Sequence, residues 1–154
     1  MQLGIAGVKD NIGISLPLPL DGFLTYWASR MVNGMPPIRD KEFSPGALRK
    51  WLGHLALIER HGNSGFRFRL AGTKLQSRFG AELTNRNFAE IEGELLGDLE
   101  DRVQRAMSLP SPVVKAVWCP KKAQRYFDLI LPLADDGGSI NLVILASYPV
   151  NIQS

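Results

Sequence analysis

The hydrophobic and polar positions between residues 66 and 91 predict a strand that leads into a short helix. The letters FRFRLA alternate, with two phenylalanines and Leu70 on one side and two arginines and Ala71 on the other. A period of two is typical of a half-buried strand. We therefore predict a strand over Phe66–Ala71.

A short helix is predicted to follow this strand directly. Thr73 and Gln76 have the spacing of a capping box, in which each side chain satisfies a backbone N–H at the start of a helix. Leu75 and Phe79 lie four positions apart and share one face of that helix. Gly80 stands where a helix often ends with a positive φ.

The same two periods predict the other elements of the chain. They are helices over Asp21–Asn33, Ser44–Leu52 and Glu94–Ser108, and strands over His54–Glu59, Val113–Trp118, Gln124–Leu133 and Ile140–Tyr148. Residues 1–19 are expected to form an extended or loosely ordered leader, residues 20–150 a single domain, and residues 151–154 a tail. Two strands, then helices, then three strands indicate an α+β fold.

The composition is that of an ordinary globular protein and argues against several classes of function. The 154 residues are 45% hydrophobic and 21% charged, with a net charge of +3 and scattered lysines and arginines, so nucleic-acid binding is not expected. The single cysteine, Cys119, allows neither an intramolecular disulfide nor a cysteine metal cluster. No apolar run reaches about 18 residues and no signal peptide is recognised, so we expect a cytoplasmic protein without a membrane segment.

No catalytic signature is found in the sequence. It lacks a G-x-S-x-G elbow, an H-E-x-x-H pair, a P-loop and a Rossmann fingerprint, so we do not expect an enzyme. The alternative is a small α+β enzyme that uses Tyr126, Asp128 or His54 as acid and base groups in a deep pocket. His54 begins a strand and His61 lies in a turn, so haem ligation is not expected, and no cofactor is identified.

Several motifs in combination resemble a family of short, stand-alone bacterial PAS-like proteins. The motifs are Tyr26-Trp27 with Arg30, Pro37-x-Arg39-Asp40 followed by Pro45, Leu52–Glu59, Phe68–Thr73, and Phe79-Gly80-x-x-Leu83-Thr84. The likeness spans residues 20–150. The family has glycine after its Leu-Thr pair where this chain has Asn85, and asparagine is the next most tolerant residue for a left-handed backbone.

The resemblance implies a PAS fold and a sensory function. The expected fold is a five-stranded antiparallel sheet in the order 2-1-5-4-3, with short helices on one face and an N-terminal amphipathic helix. The expected function is a sensory module that binds a small apolar or anionic molecule and signals to a partner in trans through protein–protein contacts. A ligand-free dimerisation module is the alternative. Covalent flavin photochemistry is not expected, because Cys119 lies outside the helix that carries the photoactive cysteine of flavin-binding light sensors.

A PAS pocket lies between the sheet and the short helices, and the resemblance together with the patterning implies which residues line it. The candidate ligand-binding residues are Phe68, Arg69, Leu75, Phe79, Arg86, Phe88, Tyr126, Leu129 and Leu142. Their alternative role is to fill a solid core, since protein interiors normally pack without ligand-sized voids. Arg69 and Arg86 are candidates to hold a carboxylate or phosphate. Alternatively, Arg69 lies on a solvated or salt-bridged strand face, for example with Asp128, and Arg86 is simply exposed in its loop.

The predicted N-terminal helix carries an apolar stripe with two alternative uses. Its residues are Leu20, Leu24, Trp27 and Met31, which share one face at helical spacing. The stripe could cover the outer face of the sheet, or it could pair with the same stripe of a second copy, as the flanking helices of PAS domains do. We expect a homodimer.

Overall fold

The structure is a computed structural model that describes residues 15–63 and 65–150. The helices are α1 (Leu18–Ser29), α2 (Thr73–Phe79), α3 (Gly93–Leu96) and α4 (Leu99–Ser108). The strands are β1 (Leu55–His61), β2 (Gly65–Ala71), β3 (Val113–Cys119), β4 (Gln124–Ala134) and β5 (Ile140–Val150). Short 3₁₀ turns cover Lys41–Phe43, Leu52–His54, Phe88–Glu90 and Pro120–Lys122. Most of the predicted leader and all of the predicted tail lie outside the described residues.

The five strands form one antiparallel sheet in the order β2-β1-β5-β4-β3, which confirms the predicted order 2-1-5-4-3. Helices α2, α3 and α4 cover one face, here called the inner face, and α1 covers the other, the outer face. Residues 142–148 of β5 are all buried because both faces of the central strands are covered. Alternate residues of β4 and β5 therefore enter two different cores.

A β-bulge interrupts the predicted alternation in β2. Ile58 lies opposite Phe68 and Leu57 lies opposite Leu70, so Arg69 is an extra residue without a partner in β1. After an extra residue, every later side chain of the strand lies on the opposite face of the sheet from the one that uninterrupted alternation predicts. Leu70 therefore turns to the outer face and Ala71 joins the inner core. The prediction that Leu70 shares a face with the two phenylalanines of β2 is wrong for this reason.

The first helix packs against the outer face of its own sheet. Leu20, Leu24 and Trp27 are each 0% exposed, and the indole N–H of Trp27 donates to the carbonyl of Pro132 in β4 at 2.9 Å. Three of the four residues predicted for a dimer stripe are therefore buried within the chain, while Met31 is partly buried beside them. This packing agrees with the covering role of the stripe and does not agree with its use as a dimer surface.

Helix α1 is offset from its prediction, because it begins at Leu18, within the predicted leader, and ends at Ser29 instead of Asn33. Asn33 and Gly34 both adopt left-handed conformations, with φ of 53° and 75°. Left-handed residues end an α-helix, so the predicted extension to Asn33 is wrong. Within residues 15–63 and 65–150, no helix is long and apolar enough to cross a bilayer.

Two other predicted helices are interrupted. Residues 44–51 form consecutive turns, in which the hydroxyl of Ser44 accepts from the N–H of Ala47 at 3.3 Å. The predicted helix Glu94–Ser108 is split by Gly97, whose φ is 56°, into α3 and α4. A left-handed glycine cannot continue a right-handed helix, so α4 begins anew at Leu99.

The predicted capping box at the start of α2 is absent from the structure. The N-cap is Gly72, and no side chain caps this end. The side-chain carbonyl of Gln76 instead accepts from the N–H of Leu83 at 2.6 Å, which fastens the following loop. Glycine is required at position 72 because a Cβ there would lie 2.3 Å from the carbonyl oxygen of Leu52. The predicted positive φ at Gly80 is confirmed, at 72°.

Candidate ligand-binding site

Aromatic side chains fill the interior next to β2, where the pocket was predicted. The ring of Phe68 lies 6.5 Å from that of Phe79 and 4.9 Å from that of Phe88, measured between centroids. Leu75 is 1% exposed and belongs to the same inner core. These four predicted ligand-binding residues pack against one another and act as core.

The other apolar residues of the prediction do not lie together. Leu129 and Leu142 pack in the outer core with α1. Tyr126 belongs to the inner face, where the guanidinium of Arg78 lies 5.2 Å from its ring centroid and burial raises the pKa of its phenol. Because the sheet separates these residues, the nine predicted residues do not form one pocket.

The two arginines predicted to hold an anion lie away from the inner core. Arg69 pairs with Glu59, with its Nη1 3.6 Å from Oε2. This agrees with the alternative of a salt-bridged strand face, although the partner is Glu59 and not Asp128. Arg86 is exposed in the loop before the Phe88–Glu90 turn. Asn85 adopts a φ of 65°, the left-handed conformation expected where the family has glycine.

A buried charge cluster lies on the inner face instead. Asp128 in β4 is 0% exposed. Its Oδ1 accepts from Nη1 of Arg78 at 2.8 Å, and its Oδ2 accepts from Nη1 of Arg102 at 3.0 Å. Arg78 also donates to the hydroxyl of Ser147 at 3.1 Å. One carboxylate therefore joins the end of α2 to the first turn of α4.

Asp98, just before α4, extends this cluster towards solvent. Its Oδ1 accepts from Nε of Arg102 at 2.9 Å and its Oδ2 from Nζ of Lys115 in β3 at 2.5 Å. Burial alone raises the pKa of this carboxyl, but the hydrogen bonds from Lys115 and Arg102 outweigh burial and lower it below its usual value. Asp98 thus stays ionised and holds Arg102 in position.

A cavity of about 380 Å³ opens beside the two buried arginines. It lies between the end of α2, the turn that joins α3 to α4, and β3. Its walls include the guanidinium-bearing Arg78 and Arg102 and the apolar side chains of Phe79, Leu96 and Val117. Pockets for small molecules typically measure about 300–1,000 Å³, with mostly apolar walls and a few fixed polar groups. This cavity has that construction.

Neither guanidinium uses all of its donors in contacts with the described protein. Arg78 uses Nη1, and Arg102 uses Nε and Nη1, for the protein contacts given above. Their Nη2 groups make no hydrogen bond to any described residue, and no fully buried side-chain nitrogen in that part of the chain lacks a partner. The Nη2 groups are therefore not fully buried, and both arginines line the cavity. A carboxylate or phosphate is the group that such a pair of donors recognises best.

Arg78 and Arg102 were not predicted as site residues, although the sequence carries a signal for each. Arg78 lies three positions after Leu75 on the apolar face of α2, and Arg102 lies three positions after Leu99 on that of α4. Asp128 occupies an inward position of a strand that is otherwise apolar. A charged residue on an apolar face is rarely buried without a partner, so three such residues in three elements indicate a shared buried cluster.

The groups proposed for acid–base chemistry do not converge on one pocket. Both carboxylate oxygens of Asp128 are held by guanidiniums. The ring of His54 stacks on that of Tyr148 at 3.9 Å, and its Nδ1 lies 3.1 Å from the carbonyl of Ser147. Burial lowers the pKa of His54 and raises that of Tyr148 to about 12. Tyr126 and Asp128 both contact Arg78, whereas His54 stacks on Tyr148, so the three candidate groups do not meet in one acid–base site.

Metal-binding and thiol chemistry receive no support from the described residues. No group of three or more histidine, cysteine, aspartate or glutamate side chains there could hold a metal ion. Cys119 ends β3, with its Sγ 3.7 Å from the carbonyl oxygen of Arg78. The expectation that haem and covalent flavin chemistry are absent stays a prediction.

Comparisons with known proteins identify the family of the chain. A family model described as a PAS domain matches residues 17–144, and no curated protein matches. Similar solved structures include a light-oxygen-voltage domain studied with a flavin analogue, at 11% identity and a TM-score of 0.50, with 73% of this chain and 89% of that chain covered. Others are a sensory box histidine kinase from Vibrio cholerae (18% identity, TM-score 0.48, 69% and 86% covered) and the PAS domain of Bordetella pertussis BvgS (14% identity, TM-score 0.47, 64% and 78% covered).

The chain belongs to the PAS domain family, because the family model covers most of its length. PAS domains are sensory modules of signalling proteins and are generally not catalytic. The light-oxygen-voltage neighbour shares the fold at low sequence identity, so it does not identify a cofactor for this chain.

Proposed function

We propose that this PAS domain senses a small organic anion, which binds in the cavity beside Arg78 and Arg102. One observation carries the proposal: two buried guanidiniums, held by the shared carboxylate of Asp128 and by Asp98, line a cavity that also has apolar walls. Asp98 gives Arg102 a second carboxylate from the solvent side, so the protein already holds both guanidiniums in place. A carboxylate or phosphate in the cavity would add charge-assisted hydrogen bonds to these fixed guanidiniums.

The walls of the cavity define the chemistry of the ligand. Phe79, Leu96 and Val117 offer an apolar surface. The charged lining residues are three cations, Arg78, Arg102 and Lys121, and two carboxylates, Glu94 and Asp98. A ligand with a compact apolar body and one anionic group matches this distribution. An aromatic or short aliphatic carboxylate is the simplest molecule of that class.

The position of the site relates ligand binding to a signal. Arg78 belongs to α2 and Arg102 to α4, and both hold Asp128 of the sheet. An anion between their Nη2 groups adds a second link between these helices. We propose that a partner protein reads the resulting position of α2 and α4, so the output is a protein–protein contact.

A thermal-shift comparison of benzoate with benzamide, on the full chain and at constant ionic strength, tests the proposal. The two probes have nearly the same shape and differ in charge. We expect benzoate to raise the melting temperature by several degrees at saturation, since a ligand that binds only the folded state stabilises it. Equal shifts with both probes, or no shift with either, would contradict the proposal.

Two substitutions on the same strand supply the matched control. Val117 lines the cavity and Ala116 points to the opposite face of β3. Val117→Trp should fill the cavity and abolish the benzoate shift, and Ala116→Trp should leave the shift unchanged. A benzoate shift that survives Val117→Trp would place the ligand elsewhere and overturn the assignment of the site.

A further inference from the structure

A second cavity, of about 490 Å³, lies on the outer face of the sheet and is separated from the first by the sheet itself. Its floor is formed by β1 and β2 and its roof by the chain segment between Arg39 and Leu48. The walls are apolar and include Phe43, Leu55, Leu57, Leu70 and Ile144. This volume suits a small ligand with an extended apolar body.

The bulge at Arg69 creates the floor of this cavity. Without the extra residue, Leu70 would face the inner core with Phe68; with it, Leu70 turns outward and lies opposite Leu57. Leu70 is 36% exposed, although an apolar side chain of this size gains roughly 2 kcal/mol from full burial. Leu57 and Leu70 therefore form an apolar pair across β1 and β2 that lines the cavity.

Cations predominate at the mouth of the cavity. Arg39, Lys41 and Arg69 line it, together with Asp40. The carboxylate of Asp40 accepts from the backbone N–H of Glu42 at 2.9 Å, as the cap of a 3₁₀ turn. The negative charge of this residue is therefore fixed beside the backbone.

Glu59 is the other carboxylate near the mouth, and it is already shared between two arginines. Arg67 donates to its Oε1 through both Nε and Nη2, and Arg69 approaches its Oε2 at 3.6 Å. The guanidinium of Arg39 makes no hydrogen bond or ion pair within the described chain. Burial and the neighbouring Arg69 lower the pKa of Arg39, whereas Glu59 raises it. Arg39 is thus a cation next to an apolar cavity, with its donors available.

We propose that the outer-face cavity is a second binding site, for an amphipathic anion with an extended apolar body and one carboxylate. The apolar body lies on Leu57 and Leu70, and the carboxylate meets Arg39 at the mouth. In this site the cation lies at the mouth and the apolar surface lies inside. In the inner site, by contrast, the guanidiniums themselves are buried. This proposal does not rest on the proposed function.

Calorimetric titration of the full chain with decanoate and with decyltrimethylammonium tests this site. The two probes share an apolar chain and carry opposite charges. We expect saturable binding of decanoate at least about tenfold tighter than that of the cation, the factor that corresponds to about 1.4 kcal/mol. Equal binding of both probes would show that the site recognises only the apolar chain, and it would overturn the proposal. An absence of saturable binding would overturn it too.

Substitutions locate the binding and separate it from the inner site. Arg39→Gln, at an exposed position, should weaken decanoate binding about tenfold by removing a charge-assisted hydrogen bond. Leu57→Trp should abolish binding by filling the cavity. Arg49→Gln, a surface control on the same segment, and Val117→Trp in the inner cavity should leave it unchanged. Loss of decanoate binding in Val117→Trp would overturn the proposal. Unchanged decanoate binding in Arg39→Gln would also overturn it.

A second copy of the chain is the competing occupant of this apolar surface. Analytical ultracentrifugation of the wild-type chain and of Leu70→Glu distinguishes the two. The proposal expects the same sedimentation for both proteins. A dimer that Leu70→Glu dissociates, together with no decanoate binding, would make the cavity a contact between copies and overturn the proposal.

Discussion

Arg78 and Asp128 meet in the interior of the domain, with Nη1 of the arginine 2.8 Å from Oδ1 of the aspartate. The arginine lies on a helix and the aspartate on the sheet, fifty positions apart in the sequence. Arg102 completes the arrangement from a second helix. A sheet–helix interface that apolar side chains could have filled is instead polar at one end, and the inner cavity lies there.

Removing the carboxylate should destabilise the domain strongly. Asp128→Asn leaves two buried guanidiniums beside a neutral amide, and the loss of one partner from a buried ion pair typically costs about 3–5 kcal/mol. Urea denaturation measures the free energy of unfolding. Asp136→Asn, at an exposed position in the β4–β5 turn, is the control and should change it by less than about 0.5 kcal/mol. Similar values for the two variants would contradict the description of the cluster.

Truncating the indole of α1 tests whether the apolar stripe acts within one chain. Trp27→Ala should lower the free energy of unfolding by about 3–5 kcal/mol, because it leaves a cavity on the sheet and removes the bond to Pro132. Trp118→Ala, where the indole is 55% exposed, should have little effect. The wild-type midpoint should not depend on protein concentration. A midpoint that rises with concentration, and ceases to do so in Trp27→Ala, would favour the dimer stripe.

His54 should make stability depend on pH. Its pKa in the folded chain is lowered, mainly by burial, so the unfolded chain takes up the proton first as the pH falls. Stability is then fully present above the unfolded pKa of about 6.5 and declines as the pH falls through that value and below it. His54→Asn should reduce this decline, and His61→Asn, at the exposed end of β1, should not. An identical pH dependence in both variants would show that other groups cause it.

The fold was largely predictable from the sequence because strand periods and turn residues are local signals. The strand order followed from the family resemblance, and the left-handed Asn85 from the backbone tolerance of asparagine. The bulge at Arg69 was not predictable, since FRFRLA alternates without interruption and the register with β1 decides which residue is extra. Local patterns do not determine register.

The candidate site was predicted less well because it depends on contacts between distant segments. Arg69 and Arg86 were chosen because a guanidinium can hold a carboxylate or phosphate, yet one pairs with Glu59 and the other is exposed. Arg78 and Arg102 lie on two different helices, and their shared partner Asp128 lies on β4, so only the packing of these three elements brings the cluster together. The general expectation of an anionic ligand is retained in the proposal, with different arginines.

Side-chain NMR of the arginine Nε–Hε groups tests the central claim most directly. Benzoate is titrated into the labelled full chain, and the resonances of Arg78, Arg102 and Arg86 are followed. We predict saturable shifts for Arg78 and Arg102 with a common dissociation constant, no shift for the exposed Arg86, and no response of any of them to benzamide. Unchanged Arg78 and Arg102 resonances at saturating benzoate, or equal responses to the amide, would contradict the assignment of the inner cavity as an anion site.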